Sequence, residues 1–195
     1  MIPKGFRVIK PEIRVLGVDD GIFELRSGGF ATVVGVVFRG GYWLDGVMHT
    51  RIKVDGFDAG EKIAGMILGS SHFKQLRVVM LNGVTFAGFN VVDIKKLNEA
   101  TCLPMIAVIR DRPDEESIRE ALKNLPKSGE RWKAMRGGGK MYAVQARAGA
   151  AKVYVQVAGI SLEDATKILR LTSTRSNMPE ALRVAHIIAS GLTAT

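Results

Sequence analysis

Arg14-Val15-Leu16-Gly17-Val18-Asp19-Asp20-Gly21 is an apolar run that ends in two adjacent carboxylates and a glycine. In an extended strand successive side chains alternate faces, so Asp19 and Asp20 point to opposite sides of the sheet. One of them then faces whatever packs on that sheet, where an unpaired carboxylate is costly and calls for a metal ion or a cationic partner. Asp-Asp-Gly is also good turn chemistry. On these residues alone a turn that simply ends the strand is the plainer account.

The chain that must position this pair has 195 residues, enough for a substantial core, and reads as one domain over 1–195. Its hydrophobic share of 47% and charged share of 24% are those of an ordinary globular protein. No apolar run reaches the roughly 18 residues of a bilayer span, so no membrane partner is expected. Met1-Ile2-Pro3-Lys4-Gly5-Phe6-Arg7 lacks the apolar core of a secretory signal. Cys102 is the single cysteine, which excludes an intrachain disulfide and a cysteine-rich zinc site and fits a reducing cytoplasm.

A net charge of +9, from 28 Lys and Arg against 19 Asp and Glu, suggests a polyanionic partner, though it also serves solubility. Lys127, Arg131, Lys133, Arg136, Lys140, Arg147 and Lys152 crowd one stretch opposed only by Glu130. Within it Gly137-Gly138-Gly139 reads as a flexible point next to basic and aromatic residues, Trp132 and Tyr142 among them. Such a surface suits nucleic-acid phosphates, whose neutralisation releases condensed counterions. A merely solvated face is the alternative.

The patterning predicts a first strand over 13–19, a near-continuously apolar second over 30–38, a turn at Arg39-Gly40-Gly41 and an antiparallel third over 42–48. Residues 51–54 extend that sheet, and 58–69 form a helix with Asp58 as its N-cap. A strand over 76–81, a helix over 92–100, a buried strand over 105–109 and an amphipathic helix over 115–124 follow. A short late strand at 153–157 precedes helices near 161–171 and 179–190, with Ser161 and Pro179 at their starts. Three antiparallel strands followed by strand–helix–strand units give a mixed five-stranded α/β sheet flanked by helices on both faces. That is a ribonuclease H-like outline.

Four segments together resemble endonuclease V and, more closely, the archaeal family called endonuclease dU. They are Gly17-Val18-Asp19; Asn82-Gly83-Val84-Thr85-Phe86-Ala87-Gly88-Phe89-Asn90; Leu103-Pro104-Met105-Ile106-Ala107-Val108-Ile109-Arg110; and Met178-Pro179-Glu180-Ala181-Leu182-Arg183-Val184-Ala185-His186. The resemblance runs from about residue 8 to 192 and implies a metal-dependent endonuclease using Mg2+ or Mn2+. It assigns Asp19 to the metal and places Asn82 where endonuclease V has a second metal-binding Asp. An amide carbonyl can ligate but brings no charge, so this departure weakens the expected metal site. The family's further carboxylate has no unambiguous match. Asp55 and Asp58 are the nearest candidates, Asp58 being favoured and also able to serve as an N-cap, while Asp20 is a further possible ligand.

The resemblance also puts Arg110 near the substrate phosphate and His186 at the closing edge of the metal site. Gly83, Gly88 and Asn90 would shape a loop that receives a nucleotide, with backbone amides brought close as glycines permit. Lys127, Arg131, Lys133, Arg136 and Lys140 would hold the polynucleotide, DNA ahead of RNA, with a deaminated base such as uracil as the lesion. The wedge loop of endonuclease V is not recognisable. Two hypotheses follow: the nuclease, and a nucleic-acid-binding module on the same fold whose chemistry is weakened or lost through Asn82.

Overall fold

The runs 15–18, 33–37, 78–81 and 105–108 are apolar on both strand faces, a pattern that only strands covered on both sides can carry. In the computed structural model, which describes residues 6–24 and 28–193, they are the middle of one mixed sheet. Its strands are β1 (Arg14–Asp20), β2 (Phe30–Arg39), β3 (Trp43–Lys53), β4 (Val78–Asn82), β7 (Met105–Ile109), β8 (Tyr142–Val144) and β9 (Val153–Ala158). The spatial order is β3-β2-β1-β4-β7-β9-β8. β1, β2 and β3 pair antiparallel, and β4 and β7 run parallel to β1, as expected. The sheet has seven strands rather than five. β9 adds antiparallel to β7, and β8, too short to show periodicity in the sequence, adds to β9.

Helices cover both faces. On one lie α1 (Ala59–Leu68) and α2 (Ile94–Thr101), whose Ile63, Ile67, Ile94 and Leu97 meet Leu16, Val33, Val79 and Leu81. A two-stranded ribbon, β5 (Thr85–Phe86) with β6 (Asn90–Val91), packs on that same side. On the other face lie α5 (Leu162–Thr172) and α6 (Glu180–Thr193), against Val15, Val34, Met80 and Ile106. α3 (Glu115–Lys123) and α4 (Ser128–Arg136) form the connection from β7 to β8.

Within the basic stretch expected to carry a flexible point, residues 128–136 are helical. α4 carries no apolar period, so hydrophobic spacing gave no sign of it. Gly138, at the centre of the glycine triplet, is buried against Ile94 and Gln156.

α6 lies unusually close to β1. Gly17 and Gly21 share a strand face with Asp19, and a methyl at Gly21 would sit 2.6 Å from the Ala189 carbonyl oxygen. A methyl at Gly17 would sit 2.6 Å from the Leu182 nitrogen. Ala181, Ala185 and Ala189, one helical stripe at four-residue spacing, are fully buried opposite them. Small residues on both partners thus let a helix backbone rest on a strand backbone. Gly17→Ala is expected to lower stability by about 1–3 kcal/mol through overpacking, read from urea unfolding. A loss of only a few tenths would show that α6 can move aside.

Candidate functional site

The close approach of α6 sets the geometry at the end of β1. Asp19 and Asn82 lie one rung beyond the Val18–Leu81 pair of the parallel β1–β4 ladder, both on the α6 side. Asp19 is 3% exposed, and both of its carboxylate oxygens are met by protein groups. Its Oδ1 accepts from the Asp20 N–H at 3.0 Å, and its Oδ2 accepts from Asn82 Nδ2 at 3.0 Å. His186 Nδ1 lies 2.9 Å from the same Oδ2, although the two residues are 167 positions apart. The structure thus brings Asp19, Asn82 and His186 together. The imidazole side chain is 61% exposed, so it stands at the mouth of the site while the carboxylate lies beneath it.

The strand alternation sends Asp20 to the opposite face, where its Oδ2 accepts the Ala87 N–H at 2.7 Å. Ala87 has a left-handed backbone, φ 43°, as do Gly83 at 78° and Gly88 at 84°. At Ala87, which unlike the two glycines carries a Cβ, this backbone is strained and persists only when its surroundings hold it. The holding parts are visible. Asp55, itself at φ 50°, donates its N–H to Ala87 O and accepts the Phe89 N–H on its side chain. A methyl on Gly88 would run into the Asp55 carboxylate.

Arg131 clamps the arrangement. It is 1% exposed, donates to the carbonyls of Asp55, Gly56, Phe89 and Pro126, and lies 3.9 Å from the centre of the Phe57 ring. A guanidinium spread over four carbonyls is not available to a phosphate. Its place on a polynucleotide-binding surface, expected from the local charge, is corrected here to a structural one. Asn90 is likewise buried: it accepts from the Ala59 N–H and donates to Lys53 O and Asp58 Oδ1. It braces the turn before α1 instead of lining a nucleotide loop. Asp58 accepts from Asn90 and the Lys53 N–H and makes no side-chain cap to α1, so among the described residues it joins the brace and makes no hydrogen bond with Asp19.

The remaining basic residues lie on the surface. Lys127 is 3.6 Å from Glu130 and Arg136 pairs with Glu115 at 2.8 Å, while exposed Lys140 stands over Tyr142 and Lys133 is exposed on α4. Arg110 follows β7, next to the strand end whose Val108 pairs with Asn82. It is exposed and makes no hydrogen bond or ion pair among the described residues. Sequence reasoning missed the Asp20–Ala87 contact and the Arg131 clamp, because neither partner set is local.

A profile of the endonuclease dU family matches residues 11–193. The chain belongs to that family. Among similar proteins, a UPF0215 protein of Methanothermobacter thermautotrophicus is 52% identical over 189 residues, covering 96% of this chain and 91% of that one. The crystal structure of a protein of unknown function from Archaeoglobus fulgidus superposes with a TM-score of 0.83 at 34% identity, over 92% of this chain and 98% of that chain. An endonuclease V of Ciona intestinalis, solved with a 24mer DNA containing an inosine followed by a ribo-adenosine, gives 0.58 at 16% identity, over 89% and 82%. The endonuclease dU chain therefore has an endonuclease V-like, ribonuclease H-like fold, and its resemblance to both families, read from four short segments, matches these findings.

Two acids at one strand end in this family member are both held toward their protonated forms. Burial lifts the Asp19 carboxyl above the usual range, against the Asn82 amide, the Asp20 N–H and His186, which favour its anion. Burial likewise pushes Asp20 up to about 6, opposed by the Ala87 N–H and helped by the Asp19 charge. An unfolded chain releases the Asp20 proton near pH 4, about two units lower. Between these values the folded state binds more protons, so the Asp20 contribution lowers stability as pH rises from about 4 to about 6. Urea melts across that window should show the decline reduced in Asp20→Asn. A decline of unchanged size would assign it to other groups.

Proposed function

We propose that this chain is a divalent-metal-dependent endonuclease that hydrolyses a phosphodiester bond of nucleic acid, DNA ahead of RNA, at a deaminated base such as uracil. It would act as one domain in a reducing cytoplasm, for which the lone exposed Cys102 is suited. The observation that carries the reading is the buried Asp19 carboxylate with His186 Nδ1 at 2.9 Å and Asn82 beside it, at the end of a strand in an endonuclease dU fold. The DNA bound to the Ciona endonuclease V, with its inosine, supports the substrate class.

The donor set fits a weakly held divalent cation. A carboxylate offers about four lone-pair positions, and Asp19 uses three on protein donors. Asn82 supplies an amide oxygen, whereas Asp20, a further expected ligand, points to the opposite face of the sheet onto the Ala87 N–H and does not join this set. Among the described residues no three His, Cys, Asp or Glu side chains gather as a metal cluster. Mg2+ in such surroundings takes one or two carboxylates and completes its shell with water and substrate phosphate oxygens. When bound, the metal activates a water and offsets charge on the phosphoryl group.

The protein's own groups do the remaining work. In its Nδ1–H tautomer His186 donates to Asp19, which leaves Nε2 as the basic nitrogen at the solvent-facing edge, able to take the proton of an attacking water. Asp19 orients the ring and stabilises the imidazolium that results. Arg110, without a protein partner among the described residues, meets a phosphate oxygen and stabilises its charge. Lys127, Lys133, Arg136 and Lys140 contribute long-range attraction to the polynucleotide.

One observation favours a second reading, a binding module without chemistry: Asn82 donates to Asp19, so the carboxylate is satisfied by protein groups alone. Asn82→Asp separates the two. It places a like charge against Asp19, so the metal-free variant should melt lower at neutral pH and Mn2+ should restore it. Manganese affinity should rise by about 1–3 kcal/mol, as charge-assisted contacts do, and nicking of a uracil- or inosine-containing oligonucleotide should increase. Asp19→Asn should abolish nicking. Unchanged manganese affinity with no nicking in Asn82→Asp would leave the binding module as the better account.

A further inference from the structure

A basic pocket lies away from Asp19, between the β8–β9 hairpin and the end of α5. It encloses about 370 Å3 and is lined by Gln145, Ala146, Arg147, Ala148, Arg170 and Ser173. We propose that Arg147, Arg170 and Ser173 form a phosphate-binding point that holds a phosphodiester group of the bound polynucleotide, an inference that rests on the nucleic-acid reading above.

Three features show a built site. First, the arginines are held in place by backbone, not by acids. Arg147 Nη1 donates to Arg175 O at 2.8 Å, and Arg170 Nε donates to Gln145 O at 3.2 Å. The two bonds cross the seam in opposite directions, from hairpin to helix segment and from helix to hairpin. Each guanidinium commits one N–H and keeps the others free for an anion, and the ordering entropy of both side chains is already spent. Second, among the described residues neither arginine meets a carboxylate, although exposed salt bridges are formed elsewhere on this surface.

Third, Ser173 is 4% exposed and its Oγ has no hydrogen-bond partner among the described residues, although the residue lines the same pocket as the two arginines. A buried hydroxyl is rarely left unpaired, because the loss of hydration is not repaid. At the end of a helix such a hydroxyl ordinarily donates back to a carbonyl four residues earlier, as Thr172 does to Ile168 O at 2.8 Å. Ser173 makes no such bond. The hydroxyl is closed to solvent as it stands, so a phosphate oxygen would satisfy it on a turn of the Ser173 side chain toward the pocket.

The C-terminal end of α5 works against an anion through its partial negative charge, an effect confined to the last turn. The Ser173 N–H and the Thr172 hydroxyl already occupy the Leu169 and Ile168 carbonyls there, and two guanidinium groups outweigh what remains. Lys152 and Arg175, both exposed and close in sequence to the pocket, continue the positive surface. An Arg fork matches the oxygens of a phosphodiester in two parallel bonds.

The test is binding of a labelled single-stranded DNA by fluorescence anisotropy in EDTA, repeated over a salt series. Arg170→Gln should bind about 10-fold more weakly at low salt, with a salt slope smaller by about 0.7, the value for one phosphate contact on a single strand. Ser173→Ala should also weaken binding, yet keep or raise the melting temperature, since an unpaired hydroxyl leaves the interior. Wild-type affinity and slope in both variants would overturn the proposal, as would a Ser173→Ala variant that melts lower and binds normally. Asp19→Asn, which loses nicking while keeping DNA affinity, marks failure of catalysis apart from failure of this pocket. If inorganic phosphate shifts the Arg147 and Arg170 Nε–H resonances while the wild type binds no DNA, the occupant is free phosphate and the polynucleotide assignment is overturned.

Discussion

Everything at the candidate site depends on the contact between one helix backbone and one strand backbone. Gly17 and Gly21 flank Asp19 on the same face, and Ala181, Ala185 and Ala189 face them from α6. With larger residues on either side, the helix axis would stand further from the sheet. The 2.9 Å spacing between Asp19 and His186 would then open. The imidazole reaches a carboxylate that is almost fully enclosed because the helix that carries it comes this near.

The other face of the sheet is organised by a buried cation instead of small residues. Arg131 gathers carbonyls from two loops, and the positive-φ backbone at Asp55 and Ala87 is stabilised by that gathering. Guanidinium is well suited to this work because it stays charged and offers several donors in one plane. The result reaches the site through one hydrogen bond, from the Ala87 N–H to Asp20. Adjacent acids on one strand are thus held by different means: Asp19 by a helix resting on its face, Asp20 by a clamped loop.

Much of this was legible in the residues. The buried strands, the antiparallel-then-parallel order and both C-terminal helices follow from apolar runs and caps, which are local signals. Asp19, Asn82 and His186 were nameable because each sits in a short segment resembling a known family. The glycine–alanine seam was in principle readable too, since Gly17 and Gly21 share a strand face and the alanines recur every four residues. What could not be read was where charge goes. Arg131, Lys133 and Arg136 look alike in the sequence, yet one is buried beneath loops from residues 55 and 89 while its neighbours are exposed. In the sequence Asn90 belongs with the glycines of a nucleotide-receiving loop, and Asp58 is a carboxylate at a helix start that is easily aimed into a strand-end cleft. Here they satisfy backbone groups at the start of α1.

The sequence distance within the Asp19–His186 pair has a kinetic side. β1 meets β2 through a short connection, so that part of the sheet closes a small loop, whereas the imidazole arrives from 167 positions away. Contacts of such separation carry the largest loop-closure entropy and form late in folding. A partly folded chain accordingly displays Asp19 without His186 beside it. Under the proposed mechanism such a chain would lack the group that takes a proton, so strand scission would depend on completion of the native state.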